Sequence, residues 1–387
     1  MQNQFTEVTE SGYGSDILSS IKAVLFGIIL LIAASILLYW NEGRADLSVL
    51  AKTAVSVSPS GSHVPGSLKG KLISITGTLI SNQKVGDGLF LNSGPYLAVQ
   101  RRVEMYAWVE NQSSSTQKHL GGSSTTTTTY TYQKKWTFNP PNSSSFKYPQ
   151  GHENPSQEIS NGRFTAGTAA IGSFHVNLGN ISLPSFSPLS LSSEIVKIPP
   201  GDSLTGNGIY VPENAGDSLN NPQVGDLQVQ YSMIPENLKG TILGALQGNQ
   251  IVPYFSPSHQ ELYRIFRGTK QQAIETLHHE YVLWTWVLRG AGFAGIWLGL
   301  FLCLSPIRAL LDVIPFLGNL AGNLIGIATF VLAAFLTLLI IAVSIILHHL
   351  LDVFLILLAA VVLIFASHIL HHRVTRSRRG IAKTGAV

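Results

Sequence analysis

Histidines and carboxylates gather at both ends of an apolar stretch near the C-terminus. His348, His349 and Asp352 precede it, and His368, His371 and His372 mark its end. Imidazoles titrate near neutral pH, so groups at both mouths of a helix pair could sense pH or relay protons. His348 and Asp352 are four residues apart and share a face if the segment is helical. Histidines that anchor helix ends in the headgroup layer explain the same residues without transport. Arg289 lies inside a second apolar stretch, where it can snorkel toward water, and Arg308 forms an i,i+4 pair with Asp312 just beyond it. Together Arg289, Arg308, Asp312, His348, His349 and Asp352 are the candidate membrane-coupling or ion-path residues.

A second group is His278, His279 and Glu280. These are metal-ligand types, but they lack the i,i+4 histidine pair of a helical zinc site, so no metal is expected there. A third group reads as one strand face: Arg102, Glu104, Tyr106, Trp108 and Glu110, beside Arg101. Arg, Tyr and Trp suit an interface, whereas cross-strand pairing with Lys134 and Lys135 would make the same face structural. The chain has no H-E-x-x-H, G-x-S-x-G, Walker loop or paired-cysteine metal motif. Nothing catalytic and no cofactor is expected, and the chain is read as a non-enzyme.

The elements that must position these groups are mostly membrane spans. Of 387 residues only 12% are charged and 45% are hydrophobic, with the apolar ones in blocks at the two ends. That excludes a purely soluble protein. Net charge is +4, much of the excess in the C-terminal tail, which suits a cytoplasmic flank rather than a nucleic-acid surface. The single cysteine, Cys303, leaves no disulfide within the chain. Four spans are expected: residues 23–40, 281–304, 324–347 and 353–370, given that about 20 apolar residues cross a bilayer. The second is the least clean, with Arg289 and an entrance group of Tyr281, Trp284 and Trp286. Residues 305–323 read as an interfacial helix or loop, with Ile307, Leu310, Leu311 and Ile314 on one face. Arg373, Arg376, Arg378, Arg379 and Lys383 put the tail, 371–387, in the cytoplasm by the positive-inside rule. Four crossings then put segment 1–22 there too, and the domain at 41–280 outside.

That domain is expected to be mainly β. Residues 72–80 are rich in β-branched types, and 96–110 alternate strictly over their second half. Residues 125–138, 226–232 and 250–255 are further strands, and the Ser/Thr-rich run 113–124 suits a hairpin loop. Pro and Gly between 184 and 222 indicate long loops. The fold class is thus a multi-pass α-helical membrane protein with four spans, plus a large mainly-β (α+β) extracytoplasmic domain between the first two.

Short motifs add a resemblance. Asn41-Glu42-Gly43-Arg44-Ala45, Arg102-Val103-Glu104-Met105-Tyr106 with Trp108-Val109-Glu110, and Gly151-His152 with Asn154-Pro155-Ser156 occur in order. Val224-Gly225-Asp226-Leu227, Val252-Pro253 with Phe255, His279-Glu280 and Leu288-Arg289 complete them. On these the chain resembles the LUMA, or transmembrane protein 43, family, and His152 joins the strand face as a candidate interaction residue. The resemblance implies four spans, a large lumenal or periplasmic domain, no established enzymatic activity and self-association. Lamins and emerin are implied as partners only for an animal source. The residence is the endoplasmic reticulum and inner nuclear membrane in a eukaryote, or the inner membrane in a bacterium. The Ser/Thr-rich run 113–129 departs from the more charged animal loop. The expected function is a membrane organiser or scaffold whose outer domain binds a protein partner, a lipid or another copy. The alternatives are an oligomeric pH-sensitive cation or proton channel, and lipid binding or transfer.

Overall fold

The computed structural model describes residues 3–60, 68–206, 208–311, 315–348, 350 and 354. The chain forms two compact units. One takes Met1–Ser11, Asp46–Gln117 and Ser124–Val282; the other takes Gly12–Ala45, Lys118–Ser123 and Leu283–Val387.

The first unit is β-rich. Its larger sheet has the order β1 (Gln4–Ser11), β5 (Ser124–Thr137), β4 (Tyr96–Lys118), β12 (Leu227–Pro235), β11 (Gly208–Val211) and β10 (Ser203–Thr205). Two short strands, β6 (Gly162–Thr165) and β9 (Ser187–Pro188), pair with β4 and β12. The second sheet runs β17 (Arg264–Arg267), β13 (Leu238–Gln247), β14 (Gln250–Val252), β8 (Phe174–Asn177), β7 (Thr168–Ile171), β3 (Leu72–Ile80) and β2 (Val55–Val57). Because β13 also pairs with β3, five of these strands close into a ring, which removes their edges. A two-stranded ribbon, β15 (Tyr254–Phe255) and β16 (Glu261–Leu262), stands apart. One core fills the space between the sheets, with Ile73, Ile75, Val99, Met105, Phe174, Val229 and Ile242 all but inaccessible. Helix α2 (Leu47–Lys52) and the first turns of α3 (Lys270–Cys303) cover β13 and β17 through Ala51, Ala273, Ile274 and Leu277 against Leu243 and Phe266.

The second unit is helical: α1 (Tyr13–Glu42), the rest of α3, α4 (Ser305–Leu311) and α5 (Pro315–His348). Ala34 and Leu38 of α1, Ile296 of α3 and Ala333 of α5 form its buried centre. Its large apolar side chains otherwise face outward, as Phe26, Ile32, Trp286, Ile327 and Leu338 do. That is the reverse of a soluble bundle and the signature of a lipid-facing one. Among the described residues three helices are long and apolar enough to cross a membrane, within Tyr13–Lys52, Lys270–Cys303 and Leu320–His348. The expected fourth span, 353–370, and the basic tail lie outside the described residues.

Several expectations change. Residues 4–11 are not separate from the β-rich unit: β1 pairs with β5 from Gln4↔Thr131 to Ser11↔Ser124. The strand before α1 and the strands after it therefore belong to one sheet, and the β-rich unit does not begin at residue 41. Helix α1, Tyr13–Glu42, contains the expected span at 23–40 and begins ten residues before it. Residues 305–323 divide between two helices, α4 ending at Leu311 and α5 starting at Pro315. The run 113–124 is not all loop, because β4 continues to Lys118. Hydroxyls pair across the hairpin there, Ser114 with Thr128 at 3.0 Å and Thr116 with Thr126 at 2.9 Å, so a polar ribbon is held by its cross-strand contacts.

Candidate functional site

A polar cluster of the helical unit forms where α1 ends. The motif Asn41-Glu42-Gly43-Arg44 supplies it, and each residue has a distinct task. Asn41 is fully buried and donates through Nδ2 to the Thr285 carbonyl of α3, at 3.2 Å. Glu42 takes a two-pronged grip from Arg289 of α3, Nε at 2.8 Å and Nη2 at 2.6 Å. The fork geometry of guanidinium and carboxylate makes this the strongest kind of ion pair. The Arg289 guanidinium also lies 5.0 Å from the centre of the Trp286 ring. Gly43 makes room for His348 of α5, since a Cβ on it would sit 2.2 Å from His348 Nε2. Arg44 closes the cluster by donating to Asn41 Oδ1 at 3.3 Å.

His348 is fixed from its other side as well. Its ring centre lies 4.6 Å from that of Tyr39, and Nδ1 is 2.9 Å from the Ser344 carbonyl oxygen. Ser344 Oγ, in turn, donates to the Tyr39 carbonyl at 3.0 Å. Three apolar helices are thus joined at one level by an amide, an ion pair and an imidazole. Of the expected membrane-coupling residues, the structure brings Arg289 and His348 into this cluster. Arg308 lies elsewhere in the unit, and Asp312, His349 and Asp352 fall outside the described residues. Sequence reasoning missed Asn41 and Glu42 as site residues. The available signal was a carboxylate closing one uncharged span and an arginine interrupting another, complementary charges at span ends.

The strand-face candidates divide into two groups. Arg102, Glu104 and Tyr106 lie toward the outside of β4, Arg102 exposed and the other two half-buried. Arg102 stacks on Phe138 at 4.0 Å, and Tyr106 meets Trp136 at 5.4 Å. Trp108 instead belongs to a closed aromatic cluster with Tyr130, Tyr132 and Phe146, packed against Phe5 of β1 and Tyr148, and Glu110 and His152 both contact its Tyr132. Lys134 sits over Trp108 at 5.0 Å, so cross-strand pairing explains this end of the face. His152 is 1% exposed and stacks on Tyr132 at 4.0 Å. Its Nδ1 is 3.1 Å from the Tyr148 carbonyl. Glu110 accepts from the Tyr132 hydroxyl and, at 2.7 Å, from the Lys147 amide. Burial first, and that hydrogen bond second, push the Tyr132 phenol up to about 12. Asn154 of the same motif acts as a strand edge, with Oδ1 accepting from Trp108 N at 2.7 Å and Nδ2 donating to Trp108 O at 3.0 Å.

Two further carboxylates hold loops. Asp226 accepts from the Tyr210 hydroxyl at 2.6 Å and from the amides of Glu213 and Gln223. Asp87 accepts from Arg101 Nη1 at 2.8 Å, from the Tyr231 hydroxyl and from the amides of Leu89, Phe90 and Leu91. Burial opposes its ionisation, but the bonds from Tyr231, Leu89, Arg101 and Leu91 outweigh it and hold the carboxyl below its ordinary value. The group at 278–280 divides between two partners: His278 Nδ1 lies 2.8 Å from Asp46 Oδ2, and Glu280 grips Arg264 at 2.6 Å. Among the described residues no group of His, Cys, Asp and Glu is arranged to hold a metal.

A β-rich unit joined by the chain to lipid-facing helices, with its polar clusters turned inward, defines an integral membrane protein. The profile of the family described as Transmembrane protein 43 matches residues 105–350. Transmembrane protein 43 of Homo sapiens is 30% identical over 337 residues, covering 82% of each chain. That of Rattus norvegicus is 28% identical over 335 residues, again 82% of each. The Drosophila melanogaster homolog is 30% identical over 310 residues, 77% of this chain and 81% of its own. No solved structure matches. The chain belongs to the Transmembrane protein 43, or LUMA, family.

Proposed function

We propose that this protein is a non-enzymatic membrane organiser or scaffold. Its β-rich unit meets a protein partner, a lipid or another copy, and its helices hold that unit at the membrane. The observation that supports this reading is the fate of the charged side chains. Glu42–Arg289, Asp87–Arg101, Arg264–Glu280 and Glu7–Lys147 are paired within their own units. Catalytic groups, by contrast, converge on a cavity where substrate can reach them. On the outer face of β4, the exposed Arg102 and the half-buried Tyr106 are of types that anchor interfaces, with Glu104 between them. The basic tail supports a cytoplasmic C-terminus, in the inner membrane of a bacterium or the endoplasmic reticulum and inner nuclear membrane of a eukaryote.

A photo-crosslinking residue at Glu104, used in native membranes, is expected to capture one discrete neighbour, with capture reduced by Tyr106→Ala. A product that stays monomeric under all conditions would refute the scaffold. A second reading, an oligomeric pH-sensitive channel, draws on Thr329, Thr337 and Ser344 of α5, which are buried among the helices. It requires pH-dependent cation flux in liposomes that His348→Ala abolishes.

A further inference from the structure

Within the helical unit, the end of α3, α4 and the first half of α5 enclose an open-sided cleft of about 910 Å³. Trp297 and Phe301 of α3 and Ile327 and Phe330 of α5 form its walls. Trp297 and Phe330 meet edge to face at 5.4 Å, and the Trp297 indole N–H donates to the Gly326 carbonyl at 3.2 Å, so the walls are fixed to each other. The lining contains one charge, Arg308, and among the described residues no carboxylate. The Arg308 guanidinium lies 5.7 Å from the Phe301 ring centre, and a Cβ on Gly322 would come within 3.2 Å of its Nε. Gly322 therefore lets the side chain lie along α5. Among the described residues that guanidinium has no hydrogen bond or ion pair of its own.

The chemistry of the occupant follows from this asymmetry. Aromatic and aliphatic walls inside lipid-facing helices accept a hydrocarbon chain. Arg308 follows the last turn of α3, where a span ends and headgroups begin. The neighbouring Ile307 and Leu310 of α4 are more than half exposed, as residues dipping into the acyl boundary are. The planar Arg308 guanidinium offers a fork matched to a phosphate. Basic clefts between membrane helices are established sites for anionic headgroups. We infer that this cleft binds one anionic phospholipid, its acyl chain along Trp297 and Phe330 and its phosphate on Arg308.

Intrinsic fluorescence quenching by lipids with brominated acyl chains tests this on the full chain in vesicles. The Trp297 contribution is isolated as the difference between the native protein and Trp297→Phe. Brominated phosphatidylglycerol is expected to quench Trp297 at about five-fold lower mole fraction than brominated phosphatidylcholine, as one basic contact predicts. Arg308→Gln should erase that preference and Arg308→Lys retain part of it. Gly326→Leu should lower Trp297 quenching by both lipids, because its side chain enters a cleft where the nearest neighbour of a Cβ, Phe301, is 4.0 Å away. Equal quenching by both lipids in the native protein, or a preference that survives Arg308→Gln, overturns the assignment. So does loss of the preference in excess inorganic phosphate, which would make the site one for a soluble anion. If a variant does not fold, phosphatidylglycerol retained by the native protein through mild solubilisation, read by mass spectrometry against phosphatidylcholine, decides the same point.

Discussion

The two units use buried charge in different ways. In the β-rich unit, Asp87 and Asp226 each gather several donors from a nearby loop, and the strands pair without them. In the helical unit, Glu42 and Arg289 connect two helices that are otherwise held by side chains such as Leu38 and Ile296. The contrast reflects the surroundings. A sheet immersed in water gains from burying apolar faces, so its charges are free to fix irregular segments. Helices in lipid gain little from apolar contact with each other, so close packing and polar ties carry the specificity. Substitutions should therefore unfold a region of the first unit but alter helix association in the second.

The largest effect is expected at Asp87. Replacing it by Asn keeps the volume but removes the charge facing Arg101, a buried guanidinium that would lose its ion-pair partner. A loss of about 4 kcal/mol follows from breaking a buried pair on one side. The pH dependence has a definite sign. The folded-state carboxyl is held below its ordinary value, so its stabilisation is present above the unfolded-state value. It is lost as pH falls through the lower, folded value. Thermal unfolding followed from pH 7 downward should show an acid limb that Asp87→Asn flattens. An unchanged limb would show that this pair does not govern the β-rich unit.

In the helical unit, Glu42→Gln or Arg289→Met should each cost about 3 kcal/mol, and the double variant less than the sum. Gly43→Ala comes next, at about 2 kcal/mol, because its new methyl group meets the His348 ring. His348→Ala in the same chain should restore most of that loss. Protease resistance of the helices in nanodiscs reads both. If Gly43→Ala is as damaging without the histidine as with it, the contact is not the cause.

Much of this was visible in the sequence, and the omissions have physical reasons. The strands at 72–80 and 96–110 carried β-branched or alternating patterns, and both appear as β3 and β4. Strand β13 was not recognised. It is buried on both faces over most of its length, so alternation is absent. Strand β1 was missed because Gln4–Ser11 has few apolar residues; its place is set by a partner strand more than a hundred residues away. For the site, Arg289 and His348 stood out as ionisable groups in apolar segments, whereas Glu42 offered only its charge at a span end, and its pairing with Arg289 showed once the helix ends were brought together. Asp87 gave no signal at all, since a carboxylate after a glycine in a loop is ordinary. Pattern reports what each segment faces; it does not report which segments meet.

The smallest effect concerns the edge strand β1, which lies within the segment expected in the cytoplasm. Phe5 stacks on Tyr148 at 4.3 Å, and Glu7 receives the Tyr148 hydroxyl at 3.0 Å and the Lys147 ammonium at 3.0 Å. Phe5→Ala removes the aromatic pair and should cost about 1 kcal/mol. Because β1 is an outer strand, the loss should stay local: faster hydrogen exchange in β5, with β12 unaffected. The pairing has a consequence that labelling can read directly. Val8 is 62% exposed and pairs with Thr127, so a cysteine at Val8 and one at Lys135 of the same sheet must face the same compartment. In a Cys303→Ser chain, a membrane-impermeant maleimide should label both from one side of sealed vesicles. Labelling from opposite sides would separate β1 from β5 in the membrane-bound protein and restore the N-terminal segment to the far face. In that case α1 would cross the bilayer as a simple span, and β1 would pair with β5 only when the chain is out of the membrane.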